Sequence, residues 1–519
     1  MMKFPPILGP NGKPARQYLA GSNYFQGASR TRQSLKNWNP YEESINDALA
    51  LELRELRARS YDLYRSSPIG FGAIDTQITN IVGPGLQVQS MVDKEALGMG
   101  LKEAEAWQSQ TEREWDLFAN TKEIDATEEN NFYELQDIFL RNTFLGGDCF
   151  AVFPILPRRE SSYKFKIQLI EGSRCNNPNR SMDTPDLMNG IEYDGQGRAV
   201  AYHFSNMNLD SFMGSSQIQW ARVPKFGATT GRRNVIHGKF PSRVQQGRGI
   251  PILSPVIESL KQLSRYSENE LMAAVISAMF TAFLKQPEST PWANTEEITA
   301  DTPDPSKPRD ISLGFGAVFG LEPGEDIVQV NPARPNANFE PFWTAILREV
   351  GAGTGVPYEI LIKHFSASYS ASRAAFLMAW KMFMHRRKWL EWNFCNFVYE
   401  AFMYEAVILG RIIAPGFLSD PILRRAYLGA IWIGPAKGQI DEYNEMKAME
   451  LHQKMKTKTL QKITAEVDGG DWDKNVERAK VEQEKLKEFS SAPEEEAEDD
   501  EEGFVIPGQE DMNPRNEEP

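Results

Sequence analysis

The residues of this chain that could do chemistry are few and poorly spaced for catalysis. Its five histidines show no short helical pairing of the kind that binds zinc; they are His203, His237, His364, His385 and His452. A short run of serines follows one of them, namely Ser366, Ser368 and Ser370 after His364. Histidine and serine together can form a hydrolase site, but no nucleophile-elbow motif accompanies them. A polar loop is therefore the favoured interpretation.

Two glycine-rich segments bear a superficial likeness to phosphate-binding loops. Residues 9–14 lack the P-loop spacing and the Ser or Thr that should follow the lysine. Residues 351–355 follow a predicted helix rather than a strand, so a flexible joint is favoured there. The three cysteines are too far apart for a disulfide framework or a metal site, and they fit a reducing compartment. The sequence predicts no catalytic residue, no metal and no cofactor, and an enzyme is not expected.

The net charge of −14 is concentrated at one end of the chain. Residues 494–519 hold 12 acidic residues and one basic residue, so the rest of the chain is close to neutral. Like charges in a run repel one another, which predicts a disordered acidic tail over 491–519. Such a tail either keeps the protein in solution or docks onto a basic partner.

Two stretches are basic and contain no carboxylate. Residues 1–41 carry six Lys or Arg side chains among Gly, Pro, Asn and Gln, which predicts an extended basic arm over 1–40. The second stretch runs from 222 to 248, and its basic residues are Arg222, Lys225, Arg232, Arg233, Lys239, Arg243 and Arg248. Clustered Lys and Arg bind DNA phosphates without sequence specificity, but they also pair with acids of a neighbouring subunit. Both interpretations of 222–248 stay open.

Hydrophobic periodicity predicts an α+β chain without internal repeats. Helical patterns occupy 41–65, 69–82, 101–118, 132–145, 256–285, 339–350, 439–467 and 472–489. Strand patterns occupy 86–89, 149–156 and 163–170, short strands occur within 311–330, and a hairpin spans 190–204 around Asp194-Gly195. The stem-like helix 256–285 should bury Leu260, Leu263, Val275, Met279 and Phe283.

One long aromatic helix is predicted from Arg373 to Leu409, about 55 Å at 1.5 Å per residue. Its expected buried stripe is Phe376, Trp380, Phe383, Leu390, Phe394, Phe397, Tyr404 and Ile408. The second half is apolar nearly all round, which is typical of a buried spine in an assembly or of a core helix in a large monomer.

No segment is long and apolar enough for a membrane span, since the longest uncharged apolar stretch is Leu271 to Leu284. The N-terminus lacks the apolar core of a signal peptide. A soluble intracellular product without a membrane partner is expected.

A series of short motifs in a fixed order resembles the lambda-type family of tailed-bacteriophage portal proteins, over about residues 15 to 490. The motifs lie at 56–63, 82–86, 147–150, 168–171, 190–193, 235–237, 243–251, 321–325, 368–375, 432–435 and 445–448. Each motif is weak alone, and their collinear order carries the resemblance. The acidic tail after Ser490 departs from it.

The resemblance implies a ring of twelve subunits at one capsid vertex, through which double-stranded DNA enters and leaves. Expected partners are the large terminase subunit, the major capsid and scaffold proteins, and head-completion or adaptor proteins. The ring would belong to the virion after assembly in the host cytoplasm. By element order, the wing is 41–255 with the long helix and its return over 373–433, the stem is 256–285 and 339–352, the clip is 286–338, the channel loop is 353–372, and the helical crown is 434–490.

The channel loop would carry the residues that face DNA, namely Lys363, His364, Ser366, Ser368, Tyr369 and Ser370. Small polar side chains let a duplex slide, while one lysine per subunit becomes a belt of charge around a ring. Burial of this segment between subunits is the alternative. Two other classes also compete: a nucleic-acid-processing enzyme or its regulatory subunit using 222–248, and a non-viral scaffold or channel protein.

Overall fold

The structure is a computed structural model that describes residues 26–29, 32–159, 161–209, 218–279, 283–285, 326–328, 338–365, 368–437, 442–467, 470 and 472–490. Most of the predicted basic arm, nearly all of the predicted clip, the acidic tail and Ser366 lie outside these residues. The chain divides into two compact units, one of residues 1–86 and 90–431 and one of residues 87–89 and 432–519. Helices and sheets both contribute, as the sequence predicts.

Over the described ranges the helices are α1 Ile45–Ser66, α2 Pro68–Ile81, α3 Lys94–Leu97, α4 Leu101–Ala119, α5 Phe132–Gly146, α6 Ile257–Met279, α7 Phe339–Thr354, α8 Tyr358–Leu361, α9 Tyr369–Leu390, α10 Asn396–Ile408, α11 Pro421–Tyr427, α12 Glu442–Lys454, α13 Leu460–Val467 and α14 Trp472–Ser490. The strands are β1 Gln87–Ser90, β2 Asp148–Val152, β3 Gln168–Glu171, β4 Leu187–Met188, β5 Ile191–Tyr193, β6 Ala199–Ser205, β7 Trp220–Pro224, β8 Val235–Lys239, β9 Phe283–Lys285, β10 Asp326–Val328 and β11 Ala430–Ile433.

The first two helices follow local sequence signals. Ser44 caps α1, and its side chain accepts a hydrogen bond from the Asp47 amide. Ser67 then ends α1 and caps α2, with Pro68 in the first helical position, where a missing N–H costs nothing. Leu49, Leu53 and Leu63 form the buried stripe of α1.

The β-structure of the first unit consists of small antiparallel sheets. One has the order β3-β2-β8 and another the order β4-β5-β6-β7. The predicted hairpin is confirmed: β5 and β6 are joined at Asp194, whose carboxylate accepts hydrogen bonds from the amides of Gln196 and Arg198. The core between the sheets is built on Phe150, Ile170, Tyr202, Phe204 and Val235. The predicted strands 149–156 and 163–170 are longer than β2 and β3, and Ile155 and Phe165 retain only an isolated bridge.

Helices α6 and α7 lie side by side and antiparallel. Near the start of α6 the Ser259 hydroxyl donates to the Glu349 carboxylate at 3.0 Å. Near the middle of α6, Tyr266 stacks on Phe339, the first residue of α7, with ring centroids 5.5 Å apart. The chain leaves α6 and returns to α7 through β9 and β10, which pair antiparallel.

The C-terminal end of the predicted helix 256–285 is wrong. Phe283 belongs to β9, where it pairs with Val328 of β10, so the helix ends before it. Leu260 and Leu263 are buried as predicted, whereas Val275 is 41% exposed.

The long aromatic helix forms, but it is interrupted by a π-turn at Glu391–Cys395 between α9 and α10. Phe383, Leu390 and Phe394 are buried as predicted. Beyond the turn the predicted stripe is wrong: Ile408 is 55% exposed, and the buried residues are instead Val398, Tyr399, Phe402, Met403 and Ala406. The π-turn holds one extra residue, so the buried face shifts by one position, about 100° around the helix axis.

Buried aromatic rings hold this helix to the rest of the first unit. Trp115 of α4 is fully buried, and its ring makes edge contacts with Phe132, Tyr399 and Phe402 at centroid distances of 4.9, 5.5 and 5.2 Å. Glu405 of α10 accepts hydrogen bonds from two consecutive backbone amides, those of residues 164 and 165, each at 2.8 Å. Helix α10 is thus held in place by the packing of its aromatic rings and by the hydrogen bonds of the Glu405 carboxylate.

The second unit contains α12, α13 and α14. The sequence predicts one helix over 439–467, and the structure corrects this to two helices. The Thr457 hydroxyl donates to the carbonyl oxygen of His452, and Lys456 takes a positive φ of 53°. The Thr459 hydroxyl then accepts a hydrogen bond from the Lys462 amide at the start of α13. Threonine side chains that bond the backbone compete with helical continuation, which is why the helix stops here.

Among the described helices, none combines the length and apolar character that crossing a lipid bilayer demands.

Candidate functional site

A buried charge cluster centres on Asp148, at the start of β2. Its carboxylate has no exposed surface and meets Arg57 of α1 at 2.7 Å and Arg248 at 2.6 Å. The Nε2 atom of His237 on β8 lies 3.2 Å from the same carboxylate, and the Gly249 amide donates to it. One acid thereby joins a helix, two strands and the segment that leads into α6.

The two arginines are also bonded to backbone. Arg57 donates to the carbonyl of Gly146 at 2.7 Å. Arg248 donates to the carbonyls of Gly172, Cys175 and Asn189. A glycine is required at 172, because a Cβ there would lie 1.9 Å from the Asp148 carboxylate. The cluster is therefore fully paired, as buried charges must be.

Burial and charge act against each other on the cluster's pKa values. Burial by itself raises the pKa of Asp148, but Arg248 and Arg57 outweigh it and hold that pKa well below its usual range. For His237 burial dominates and lowers the pKa to about 4, despite the neighbouring carboxylate. The imidazole is therefore neutral at neutral pH, and it stacks on Phe150 with ring centroids 4.2 Å apart.

No local sequence pattern marked this cluster as a site. The signal was present, because Arg57, Asp148, His237 and Arg248 all lie within motifs that carry the family resemblance. What the sequence could not show is that these motifs meet at one point. The cluster connects α1, β2, β8 and the segment before α6 through hydrogen-bonded charges.

The basic stretch 222–248 does not form one free surface. Arg222 is held by Glu192 through two hydrogen bonds of 2.7 and 2.9 Å, and Arg243 donates to the Glu43 carbonyl. These two side chains are therefore already engaged by other parts of the first unit.

The middle of the stretch lies against aromatic rings and backbone carbonyls. Arg232 and Arg233 lie over the rings of Tyr404 and Phe397, at 4.2 and 3.9 Å from the ring centroids. The ammonium group of Lys239 donates to the carbonyls of residues 246 and 247. Lys225 lies 5.7 Å from the centroid of the ring at position 226.

Arg248, one of the seven residues predicted to contact DNA or a neighbouring subunit, is not accessible from outside the protein. Its side chain is 3% exposed and its guanidinium is bonded to Asp148 and to three carbonyls. A phosphate outside the protein cannot reach it without breaking the buried cluster.

The predicted channel segment has a defined shape on both sides of Ser366. Lys363 has a positive φ of 55°, and the His364 amide donates to the Glu359 carbonyl just after α8. Phe365 is 57% exposed. Ser368 caps α9, because its hydroxyl accepts from the Ala371 amide at 3.4 Å. Tyr369 and Ser370 already belong to the first turn of α9, so the helix begins before the predicted Arg373.

The glycines at 351–355 are not the flexible joint that the sequence suggests. Gly351 and Gly353 lie inside α7, which runs on to Thr354, and only Gly355 takes a left-handed conformation, with φ of 77°. A Cβ on Gly353 would lie 2.4 Å from the Val256 side chain. Small residues here let α7 pack closely on the segment before α6, which makes this end of the helix rigid.

No group of three or more His, Cys, Asp or Glu side chains suited to a metal occurs in the part of the chain that the structure describes. Cys149, Cys175 and Cys395 are buried free thiols.

Sequence comparisons with known proteins agree on one family. Residues 31–387 match the family of phage portal proteins, lambda family. Portal protein B of Escherichia phage lambda is 25% identical over 462 residues, which cover 85% of this chain and 86% of that protein. The portal protein of Escherichia phage N15 is 26% identical over 467 residues, which cover 86% of this chain and 87% of that protein.

Solved structures similar to this chain include the neck of a native gene transfer agent particle computed with C12 symmetry. It is 14% identical, with a TM-score of 0.40, and covers 73% of this chain and 93% of the matched chain. A chain of the virion of a native gene transfer agent particle is likewise 14% identical, with a TM-score of 0.41, and covers 78% of this chain and 89% of that one.

The sequence comparisons thus define a structural component of a virus particle, from a family that is not one of enzymes. The family match spans well over half of the 519 residues, so the chain belongs to the lambda family of phage portal proteins. It is a virion protein, and its role in the channel for DNA packaging follows from that family.

Proposed function

We propose that the chain assembles into a closed ring of twelve copies at one capsid vertex. The observation that carries this is a set of apolar side chains that one copy leaves uncovered on α6. Leu271, Met272 and Val275 are 66%, 58% and 41% exposed. An apolar strip of this kind on a folded chain marks an interaction surface, and a closed ring covers the same strip on every subunit.

The paired helices α6 and α7 support a stem over 256–285 and 339–352. They are antiparallel, and the chain between them leaves and returns through the β9–β10 pair. Such an excursion at one end of a helix pair fits a clip over 286–338 that faces the packaging motor and later the head-completion or adaptor proteins.

The remaining regions follow from element order and from the compact units. Residues 41–255 and 373–433 would form the wing, and the unit boundary near residue 431 supports a separate helical crown over 434–490. The acidic tail over 491–519 and the basic arm over 1–40 stay predictions from the sequence. Major capsid and scaffold proteins would contact the assembled ring in the host cytoplasm.

The channel surface in this proposal is the loop within 353–372. Lys363, His364 and the exposed Phe365 lie between α8 and α9, with Ser366 and Ser368 following, and Tyr369 and Ser370 on the first turn of α9. A single lysine per copy, repeated around the ring, would centre a duplex without holding it at one position. Of the basic stretch, Arg222, Lys225, Arg232, Arg233, Lys239 and Arg243 remain candidates for contacts with DNA or a neighbouring copy.

In this scheme the chain itself catalyses nothing. The energy for packaging would come from ATP hydrolysis by the large terminase subunit. Purified chain with ATP and magnesium should release phosphate only at the background rate; hydrolysis that stays with the protein through further purification would refute this part.

The ring is tested by placing charge on the exposed strip of α6. Wild-type protein should sediment and appear in mass photometry as one large closed species. Leu271→Lys with Met272→Lys should shift it to subunits, because neighbouring copies would then have to bury two ammonium groups in each interface. The control is Leu51→Lys, at an isolated position on α1 that is 84% exposed.

Circular dichroism should show equal helix content in all three proteins. A wild-type chain that stays monomeric at micromolar concentration and at every salt concentration would overturn the proposal. Rings that form equally well with both lysines in place would show that α6 does not lie in the interface.

A further inference from the structure

A concave site lies where β5, β6, β8 and the end of β7 meet the turn at 245–247. Its volume is about 240 Å³. Lys225, Arg233 and Lys239 line it together with the phenol rings of Tyr193 and Tyr202, and no carboxylate is among its described lining residues. Three cations thus share one pocket with hydrogen-bond donors and no acid.

Two of the three cations, Lys225 and Arg233, have no ion-pair partner among the described residues, whereas Lys239 lies opposite Asp148 in the β2–β8 register and is attracted by that carboxylate. Within the described residues, no carboxylate lies at ion-pair distance from Lys225 or Arg233, and Glu400 acts on Arg233 only from farther away. Arg233 is stacked on the face of Phe397, which fixes the plane of its guanidinium. Two N–H groups of Lys239 are used by the carbonyls of residues 246 and 247, which hold its ammonium group at the wall and leave a third N–H.

Burial disfavours the charged form of all three cations. It lowers the pKa of Lys239 to about 8 and also lowers the pKa values of Lys225 and Arg233, whose charges repel one another. His237 borders the same pocket but directs its Nε2 atom at Asp148, so it adds no charge there at neutral pH. A buried cation without a counterion is stabilised most by an anion that supplies one.

We propose that this pocket binds an oxyanion of the phosphate class, held by Lys225, Arg233 and Lys239. Three cationic side chains that line one pocket suit an oxyanion, and charge-assisted hydrogen bonds of this kind are the strong ones. The volume is below the roughly 300–1,000 Å³ usual for pockets that enclose drug-sized ligands, which favours one phosphate group over a nucleotide. The group could be free phosphate or a phosphate of a DNA strand that passes the surface.

Equilibrium dialysis with radiolabelled orthophosphate tests the proposal on the full-length protein in chloride buffer. Wild-type protein should bind phosphate, and Lys225→Gln should bind it about tenfold more weakly, because it loses one charge-assisted hydrogen bond. Lys102→Gln, on the exposed surface of α4, removes the same charge elsewhere and should leave phosphate binding unchanged. In chloride neither variant should unfold at a lower temperature than the wild type, which separates lost binding from misfolding.

A second arm distinguishes the two sources of phosphate. If a DNA phosphate occupies the pocket, a labelled duplex should bind Lys225→Gln more weakly than Lys102→Gln, and orthophosphate should compete with it. If free phosphate is the occupant, the duplex should bind both variants alike.

Two results would overturn the site: equal phosphate affinity in Lys225→Gln and wild type, or no binding by the wild type at millimolar phosphate. In the second case, impaired ring formation by Lys225→Gln would mean that an acidic side chain of a neighbouring copy fills the pocket. None of these measurements requires DNA packaging, so the inference stands or falls separately from the channel.

Discussion

At the scale of single residues, the Asp148 cluster links the stability of the first unit to pH. Asp148 supplies one negative charge between the two positive charges of Arg57 and Arg248. Loss of the Asp148 carboxylate therefore leaves two buried guanidinium groups without a counterion, at a cost of roughly 3–5 kcal/mol. His237 is the member whose protonation changes between pH 4 and pH 7. Its Nε2 atom and its ring are both engaged, the first with Asp148 and the second with Phe150.

We predict that His237 makes the folded state less stable as pH falls from 6.5 to about 4. Its pKa is about 4 in the folded chain and 6.5 when unperturbed, so the unfolded chain binds the extra proton within this window. The contribution is fully present above pH 6.5 and lost towards pH 4, and amounts to about 3 kcal/mol. Urea unfolding of wild type and His237→Gln should show the largest difference at pH 7.5 and a smaller one at pH 5.

Other titratable groups also change the stability in this pH range, so the effect of His237 has to be measured against a variant that lacks it. Glu391 and Glu400 have raised pKa values and contribute with the opposite sign as the pH rises through the same region. Lys239 has a pKa of about 8 and lies outside the window, whereas the lowered pKa of Asp148 adds a further loss of stability below about pH 5 in both proteins. His452→Gln, on the exposed surface of α12, serves as control. Parallel pH profiles for wild type and His237→Gln would contradict the assignment.

At the scale of elements, the π-turn at Glu391–Cys395 decides which side of the long helix is buried. It accommodates one residue more than a regular helix would, and it keeps Phe383 and Leu390 on the same side as Val398 and Phe402. Trp392 is the bulged residue best suited to removal, because 61% of its surface is exposed.

We predict that deleting Trp392 is tolerated, whereas deleting Met384 is not. Without Trp392 the turn becomes regular helix and both buried faces remain aligned. Without Met384, which is 41% exposed, α9 before that point must rotate about 100° relative to the rest of the helix. Each large apolar side chain that leaves the core lowers the free energy of unfolding by roughly 2–5 kcal/mol. Several such losses exceed the total of about 5–15 kcal/mol that stabilises a typical domain.

The two deletions are compared by expression yield and by the cooperativity of thermal unfolding. ΔTrp392 should unfold in one sharp transition close to that of the wild type. If both deletions abolish folding equally, the π-turn is needed for its own sake and not as a register device.

At the scale of the whole molecule, the proposed channel depends on how twelve copies present the loop between α8 and α9. Phe365 offers a better labelling position than Ser368, since removing the Ser368 hydroxyl would also remove the cap of α9, at a cost of about 1 kcal/mol. The native cysteines need no replacement: burial raises the pKa of Cys175 to about 11 and those of Cys149 and Cys395 well above their ordinary value, so they stay unreactive.

We predict that Phe365→Cys carrying a bulky thiol reagent forms rings that join procapsids but blocks DNA packaging. Labelled Leu51→Cys, on the surface of α1, should package DNA as the unlabelled ring does. Packaging is measured as DNA protected from nuclease in the presence of terminase and ATP. Full labelling of Phe365→Cys with undiminished packaging would remove this loop from the channel.

Much of the fold could be predicted from the sequence because its signals are local. Ser67 and Pro68 mark the break between α1 and α2, and Asp194 with Gly195 marks the hairpin, because capping and turn formation depend on residues a few positions apart. The family could be identified in the same way, from the order of short motifs along the chain.

What only the tertiary structure decided are the contacts between distant positions. Asp148 meets Arg57 from 91 residues earlier and Arg248 from 100 residues later, and no local pattern marks such a pairing. The same limit applies to the glycines of α7, whose packing against Val256 turns an expected joint into a rigid helix end. The π-turn could not be predicted from local pattern either. The apolar residues on both sides of it are those expected of a buried helix, but the turn changes which of them face the core. Periodicity reports what a segment could bury; only the packed neighbours determine which of its faces they cover.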